Sequence, residues 1–221
     1  MIKNKFRFYI FLFLFLGTVL YAHNDTFVFA VLKYDGGGDW YNGLTGVRHL
    51  LLYTQQNTDL KVNLKEKVVS LLDDDLFLYP FLYINGHGNI TLNSEEQDRL
   101  KMYLENGGFL FCNDDYGLDK FLRRELKKIF PDKDLSEVPF SNPIYHSYFD
   151  FDEGLPKIHK HEGGVPKGYG LFVDNKLVLY YDYDADIADG WEEQWVHHDP
   201  WKIRESALKM GVNILYYALL Y

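Results

Sequence analysis

Cysteine is all but missing from this sequence: of 221 residues, Cys112 alone carries a thiol. A chain with one cysteine forms no internal disulfide and builds no structural zinc site from several thiolates. Positive charge is scarce as well. Lysine and arginine number 23 against 32 aspartates and glutamates, a formal net charge of −9. An acidic surface repels phosphate backbones and gains nothing from an anionic membrane surface, so no nucleic-acid partner is expected. Several signatures are missing too: a Walker loop, a G-x-G-x-x-G turn, a G-x-S-x-G elbow and an H-E-x-x-H helix. With them go the sequence-level cases for a phosphate loop, a dinucleotide fold, a serine-hydrolase elbow and a helical zinc peptidase. The chain carries no repeat, no low-complexity tract and no long linker.

What is present begins with a leader. Lys3, Lys5 and Arg7 precede an apolar run from Phe8 to Leu16, and Leu20-Tyr21-Ala22 offers a cleavage site. That order reads as a secretory signal peptide over residues 1–22, so the protein is expected to be exported, periplasmic or extracellular. The run is short of the roughly 20 residues a membrane span needs, so no span is expected in the mature chain. Leu20 is large for its place before the cut, which leaves an uncleaved anchor as the alternative. No cysteine follows the cut, which disfavours a lipoprotein. Removing 22 of the 221 residues leaves 199 and takes the net charge from −9 to −12. That length suits one domain, over residues 23–221, with a full core.

Strand and helix signals alternate along that domain. Phe27 to Leu32 is wholly apolar, as expected of a strand buried on both faces. A helix is predicted from Leu44 to Thr54, then a short strand at Leu60-Lys61-Val62 and another at Pro80 to Ile84. Ser94 with Gln97 reads as a capping box, and Asn106-Gly107 as the exit of the helix it starts. Phe109 to Cys112 is the next buried strand. Leu118, Leu122, Leu126 and Ile129 give one face of a helix that stops at Pro131. Residues 132–164 read as irregular. Asp174-Asn175 between two apolar runs predicts a hairpin, and Asp199-Pro200 the start of a last helix. This succession predicts an α/β domain: a mostly parallel sheet between helical layers, with an antiparallel hairpin.

In open α/β sheets ligands bind beyond the carboxyl ends of the strands. If the strands run parallel, those ends deliver Asp35, Asp39 and Trp40; Asn85 and His87; Asn113, Asp114 and Asp115; and Asp182, Asp184, Asp186, Asp189 and Trp191. The expected binding set is Asp39, Trp40, His87, Asp114, Asp115, Asp184 and Trp191. His87, Asp114 and Asp184 are the candidates for acid, base or ligand. The bland alternative is that these Asp and Asn residues only cap helices or form turns, with Asp115 capping the helix near Leu118 and His87 lying in a solvent-facing turn. Cys112 sits where an amidotransferase-type nucleophile would, but Leu-Phe-Cys-Asn-Asp-Asp lacks the glycines of such an elbow and its aspartates disfavour the thiolate. Asp182, Asp184 and Asp186 alternate, which in a strand puts them on one face, suiting either a divalent cation or an exposed acidic surface. His159 with His161 and the pair His197-His198 give a weak zinc signal.

Taken together, the strand-end motifs resemble those of the family called domain of unknown function 4159. The pieces are Phe29-Ala30-Val31-Leu32-Lys33-Tyr34 with Gly37-Gly38-Asp39-Trp40-Tyr41, and Tyr79-Pro80-Phe81-Leu82-Tyr83 with Gly86-His87. Gly107-Gly108-Phe109-Leu110 with Asp114-Asp115, Phe130-Pro131, Asn142-Pro143-Ile144-Tyr145, Gly190-Trp191 and Gly211-Val212-Asn213-Ile214 complete it. The resemblance implies a flavodoxin-like, class I glutamine-amidotransferase-like three-layer sandwich without the cysteine elbow. It implies no activity and no residue roles. The functional expectation is a binding module for a small polar ligand, a glycan or a cell-envelope partner, Trp40 and Trp191 suiting sugar faces. The alternatives are a hydrolase, with or without a metal ion, and a structural partner in an envelope complex.

Overall fold

A computed structural model describes residues 26–158 and 163–221. The predicted leader and the pair His159 and His161 lie outside the described residues. Among the described residues, five α-helices and seven strands follow in the order β1 (Ala30–Leu32), α1 (Leu44–Asn57), β2 (Lys67–Val69), β3 (Phe81–Ile84), α2 (Ser94–Glu105), β4 (Phe109–Cys112), α3 (Asp119–Ile129), β5 (Ser136–Glu137), β6 (Lys167–Val173), β7 (Lys176–Tyr183), α4 (Gln194–His197) and α5 (Trp201–Leu220). They form one seven-stranded sheet in the order β2-β1-β3-β4-β7-β6-β5. The pairs β2–β1, β1–β3, β3–β4 and β4–β7 are parallel, and β7–β6 and β6–β5 antiparallel.

The central strands are apolar throughout because both faces of the sheet are covered. Successive side chains alternate between the two cores. Phe29 and Val31, Phe81 and Tyr83, and Phe109 and Phe111 pack with Val47, Leu50 and Leu51 of α1 and Ala207, Met210 and Ile214 of α5. Ala30 and Leu32, Leu82 and Ile84, and Leu110 and Cys112 pack with Leu100 and Leu104 of α2 and Leu122, Leu126 and Ile129 of α3. The result is the three-layer sandwich that the strand pattern predicts.

The hairpin forms where expected. Asp174 and Asn175 both take positive φ, 48° and 65°, which gives a two-residue turn the twist its strands need. Other boundaries differ from the sequence reading. Val62 makes only an isolated bridge to Phe27, and the strand beside β1 is Lys67–Val69. The edge of a sheet needs only one packed face, so a strand there can carry Lys67. The α2 cap is Asn93 rather than Ser94: its side chain accepts from the backbone N–H of Glu95 and Glu96, and Glu96 reaches back to the N–H of Asn93. Pro200, not Asp199, occupies the N-cap position of α5. Within the stretch read as irregular, Ser136–Glu137 adds a two-residue antiparallel edge to β6. No helix among the described residues is long and apolar enough to cross a membrane.

Candidate functional site

The parallel strands all end on one edge, and the strand order reverses between β1 and β3. That crevice is the usual ligand position of a doubly wound sheet. Tyr34, just past β1, donates its hydroxyl to the Asn85 carbonyl at 2.8 Å and so ties the two strand ends together. Gly86 makes the close approach possible: it has φ +121°, and a Cβ there would lie 2.6 Å from the Tyr34 hydroxyl and 2.8 Å from the Asp39 backbone. The chain then presents His87 to the loop after β1.

His87 lies between two carboxylates. Its Nδ1 is 3.1 Å from Asp39 Oδ2 and its Nε2 is 2.8 Å from Asp115 Oδ1. Its backbone N–H also donates to Asp39 Oδ1. The imidazole is half exposed, Asp39 one-third exposed and Asp115 buried. Asn42 donates from Nδ2 to Asp115 Oδ2 at 2.7 Å. Burial raises the Asp115 carboxyl above its ordinary value; the Asn42 hydrogen bond and His87 oppose that shift, while Asp189 and Asp39 add to it. Asp115 therefore does not cap α3, whose N-cap residue Leu118 has no side-chain capping bond.

Beneath this surface runs a buried amide chain. Asn85 donates to the Asn42 carbonyl at 3.0 Å, and Asn113 donates to Asn85 Oδ1 at 2.9 Å and to Asp186 Oδ1 at 3.0 Å. The Asn113 Oδ1 in turn accepts from the Ala188 N–H at 2.9 Å. Three strand ends and the turn after β7 are thus joined by side-chain amides, which both donate and accept.

Asp182, Asp114 and Asp184 are instead taken up in internal contacts. Asp182 is fully buried within β7 and accepts from the backbone N–H groups of Asp114 and Ile187 at 2.8 and 3.0 Å. Burial pushes its carboxyl well above the ordinary value; Asp114 and Asp186 add to that shift and the two N–H donors oppose it. Asp114 accepts from the Tyr181 hydroxyl at 2.8 Å and the Asp184 N–H at 2.7 Å. Asp184 accepts from Lys157 Nζ at 2.8 Å and the Gly164 N–H at 2.9 Å. Asp114 and Asp184 are both buried, so neither stands open as acid, base or ligand. The alternation of Asp182, Asp184 and Asp186 does not make a one-faced strand: β7 ends at Tyr183, and Asp184 and Asp186 take positive φ of 52° and 54°.

Two tryptophans part company. Trp40 is half-buried and touches both cores. Trp191 is 1% exposed, its ring centroid 6.0 Å from Tyr83 and 6.1 Å from Phe111, and its Nε1 donates to the Ala207 carbonyl at 3.0 Å. It is a core residue and offers no face to a ligand. Cys112 is buried on the α2/α3 side of the sheet, and burial, with Asp182 nearby, raises its thiol well above the ordinary value. No thiolate nucleophile is available there. Among the described residues, no group of three or more His, Cys, Asp or Glu is arranged to hold a metal ion. His87 illustrates why: its two nitrogens point at different carboxylates. His197 contacts Asp189 at 3.5 Å, and His198 closes α4 with φ 61°.

Sequence reasoning missed Asn42, Tyr41 and Tyr116. Tyr41 and Tyr116 are 62% and 55% exposed and are the chain neighbours of Asn42 and Asp115, which hydrogen-bond to each other. The signal was present in Trp40-Tyr41-Asn42, directly after Asp39. Glu192 was missed too. It caps α1 from the far side of the sequence, accepting from Thr45 Oγ1 at 2.6 Å and the Gly46 N–H at 3.2 Å, where Gly43 has no side chain to do so.

The family model described as Domain of unknown function (DUF4159) matches residues 28–219. The chain belongs to the DUF4159 family. The match spans every strand and nearly all of α5, so the His87 crevice is built wholly from DUF4159 sequence. No curated protein matches the chain.

Proposed function

We propose that this DUF4159 protein is a non-catalytic, exported binding module that takes a polyhydroxylated ligand, a glycan, over the β1/β3 crevice. One observation carries the reading. Asp114, Asp182, Asp184, Cys112 and Trp191 are buried in internal contacts, whereas Asp39, His87, Trp40, Tyr41 and Tyr116 keep surface in or beside the crevice. Carboxylate oxygens accept from sugar hydroxyls, and aromatic rings pack on the apolar faces of sugar rings. A lone thiol and an acidic surface fit an exported chain that needs no disulfide. An amidotransferase-like ancestry fits a strand-end cysteine that has lost its elbow and is closed off from solvent.

The test is affinity electrophoresis of residues 23–221 through gels containing soluble glucans, xylans or peptidoglycan fragments. Retardation by at least one of them is expected. Tyr41→Ala and Asp39→Ala should each weaken it about tenfold, which corresponds to about 1.4 kcal/mol. Mobility unaffected by every glycan, or retardation equal in the variants, would reject the reading.

A second reading, a hydrolase, is favoured by one contact. The Asp115–His87 pair resembles a carboxylate orienting an imidazole for acid–base work, provided Nδ1 lets go of Asp39. It predicts product release from the same glycans, abolished in His87→Gln. Binding without product formation would remove it.

A further inference from the structure

We propose that Asp39, His87 and Asp115 form a pH-operated clasp, which ties the loops after β1, β3 and β4 together while it holds its proton and loosens them when the proton leaves. The argument starts from a count of hydrogens. Both ring nitrogens of His87 face carboxylate oxygens, at 3.1 and 2.8 Å. A neutral imidazole has one N–H and one lone pair. Beside two ionised carboxylates it can donate to one, and its lone pair then faces the other, which is repulsive. One additional proton makes both contacts hydrogen bonds. It can sit on the ring or on Asp115, whose carboxyl is buried. It belongs to the group of three rather than to one residue.

The surroundings determine what the clasp controls. Asp35 to Gly38 is fastened independently: Gly38 N–H donates to the Asn89 carbonyl at 3.0 Å, Thr91 N–H to the Asp35 carbonyl at 2.7 Å, and Asn89 Nδ2 to the Gly36 carbonyl at 3.0 Å. Asn42 is fastened to Asp115 and, through its carbonyl, to Asn85. Between these anchors the side chain of Asp39 is held by His87 through its ring and its backbone N–H. The stretch the clasp governs is Asp39 to Tyr41, which carries the exposed aromatic edge of the crevice; without the ring contact it keeps the His87 N–H on Asp39, the Asn42 N–H on the Asp39 carbonyl at 2.8 Å and the packing of Trp40, so it loosens without detaching. The other charged or titratable groups facing the clasp are Asp189, which acts on Asp115 from the turn after β7, and Tyr34, whose buried hydroxyl lies near both Asp39 and Asp115. Asp189 favours retention of the shared proton, whereas Tyr34 stays a neutral phenol that donates to the Asn85 carbonyl and adds no charge. His87 is half exposed, so the proton exchanges with solvent without unfolding.

The clasp stands on its own geometry; its control of ligand capture rests on the binding reading above. The experiment follows backbone amide signals of residues 23–221 by NMR from pH 5 to pH 9. Amides of Asp39, Trp40, Tyr41, His87 and Asp115 should shift together with one midpoint, and 39–41 should become more mobile on the alkaline side. Asp39→Asn supplies an amide hydrogen to the ring and needs no shared proton, so the joint transition should vanish there; Asp115→Asn should act alike if the first variant folds poorly. Unchanged signals and mobility of 39–41 across that pH range would overturn the clasp, as would a transition that persists in both variants. A loop transition without any glycan retardation would sink the ligand reading and leave the clasp intact.

Discussion

Asn113 makes the sharpest test of how the crevice is built. It is 1% exposed, and its truncation to alanine removes three hydrogen bonds at once. The Ala188 N–H and the Asn85 Oδ1 lose this partner inside the protein, and the Asp186 carboxylate loses one donor. A buried polar group deprived of its partner costs about 1–3 kcal/mol, and neighbouring losses are not additive, so the expected destabilisation is about 3–5 kcal/mol. At about 2–4 °C per kcal/mol for a domain of this size, the melting temperature should fall by about 6–20 °C. Urea denaturation followed by circular dichroism measures the first quantity and a thermal scan the second. Asn113→Asp is the control on mechanism. It keeps the acceptor for Ala188 but places a carboxylate against Asn85 Oδ1 and Asp186, so at pH 7 it should be at least as damaging as alanine and should recover partly near pH 5. A loss below about 1 kcal/mol in Asn113→Ala would refute the claim that side-chain amides join these strand ends.

Three further outcomes are expected. Asp182 has its carboxyl raised in the folded protein, so the stability it contributes is fully present below the unfolded carboxyl value of 3.8 and is lost as pH rises through the folded value; wild-type stability should fall relative to Asp182→Asn between pH 4 and pH 7, and parallel urea midpoints would contradict this. Trp191→Ala should cost about 3–5 kcal/mol, as for a large core aromatic, whereas Trp195→Ala, at a residue 73% exposed, should stay within about 0.5 kcal/mol in the same denaturation assay. Gly211→Ala in α5 should destabilise by about 1–3 kcal/mol despite alanine's higher helix propensity, because its Cβ would lie 2.6 Å from Leu50 Cδ1 and 3.0 Å from the Trp191 ring; an increase in melting temperature would show that α1 and α5 have room to separate.

The sheet was readable from sequence because its central strands bury both faces, which demands unbroken apolar runs such as Phe27–Leu32 and Phe109–Cys112. Lys67-Val68-Val69 escaped because a strand at the sheet edge tolerates charge, while Leu60-Lys61-Val62 looked more apolar and pairs at only one position. Adjacent capping residues, Asn93 and Ser94, left the register of α2 open by one. At the site, parallel strand direction was enough to gather Asp39, His87 and Asp115. Burial was not readable. Tyr-Tyr-Asp-Tyr-Asp-Ala-Asp suggests an exposed acidic edge, yet Asp182 is enclosed by donors from Asp114 and Ile187, the first of them 68 positions away. Gly-Trp in an acidic loop gave no sign that Trp191 turns inward, because the hydrogen bond to Ala207 comes from a helix that follows it.

The enclosure of Cys112 beneath α2 and α3 turns the single thiol into a gauge of breathing. A maleimide or dithionitrobenzoate reagent can reach it only when the helical layer lifts from the sheet, so its labelling rate in native buffer reports how often that layer opens. Multimers linked through sulfur should then form only from molecules that have already come apart, and preparations kept below their melting range should need no reductant.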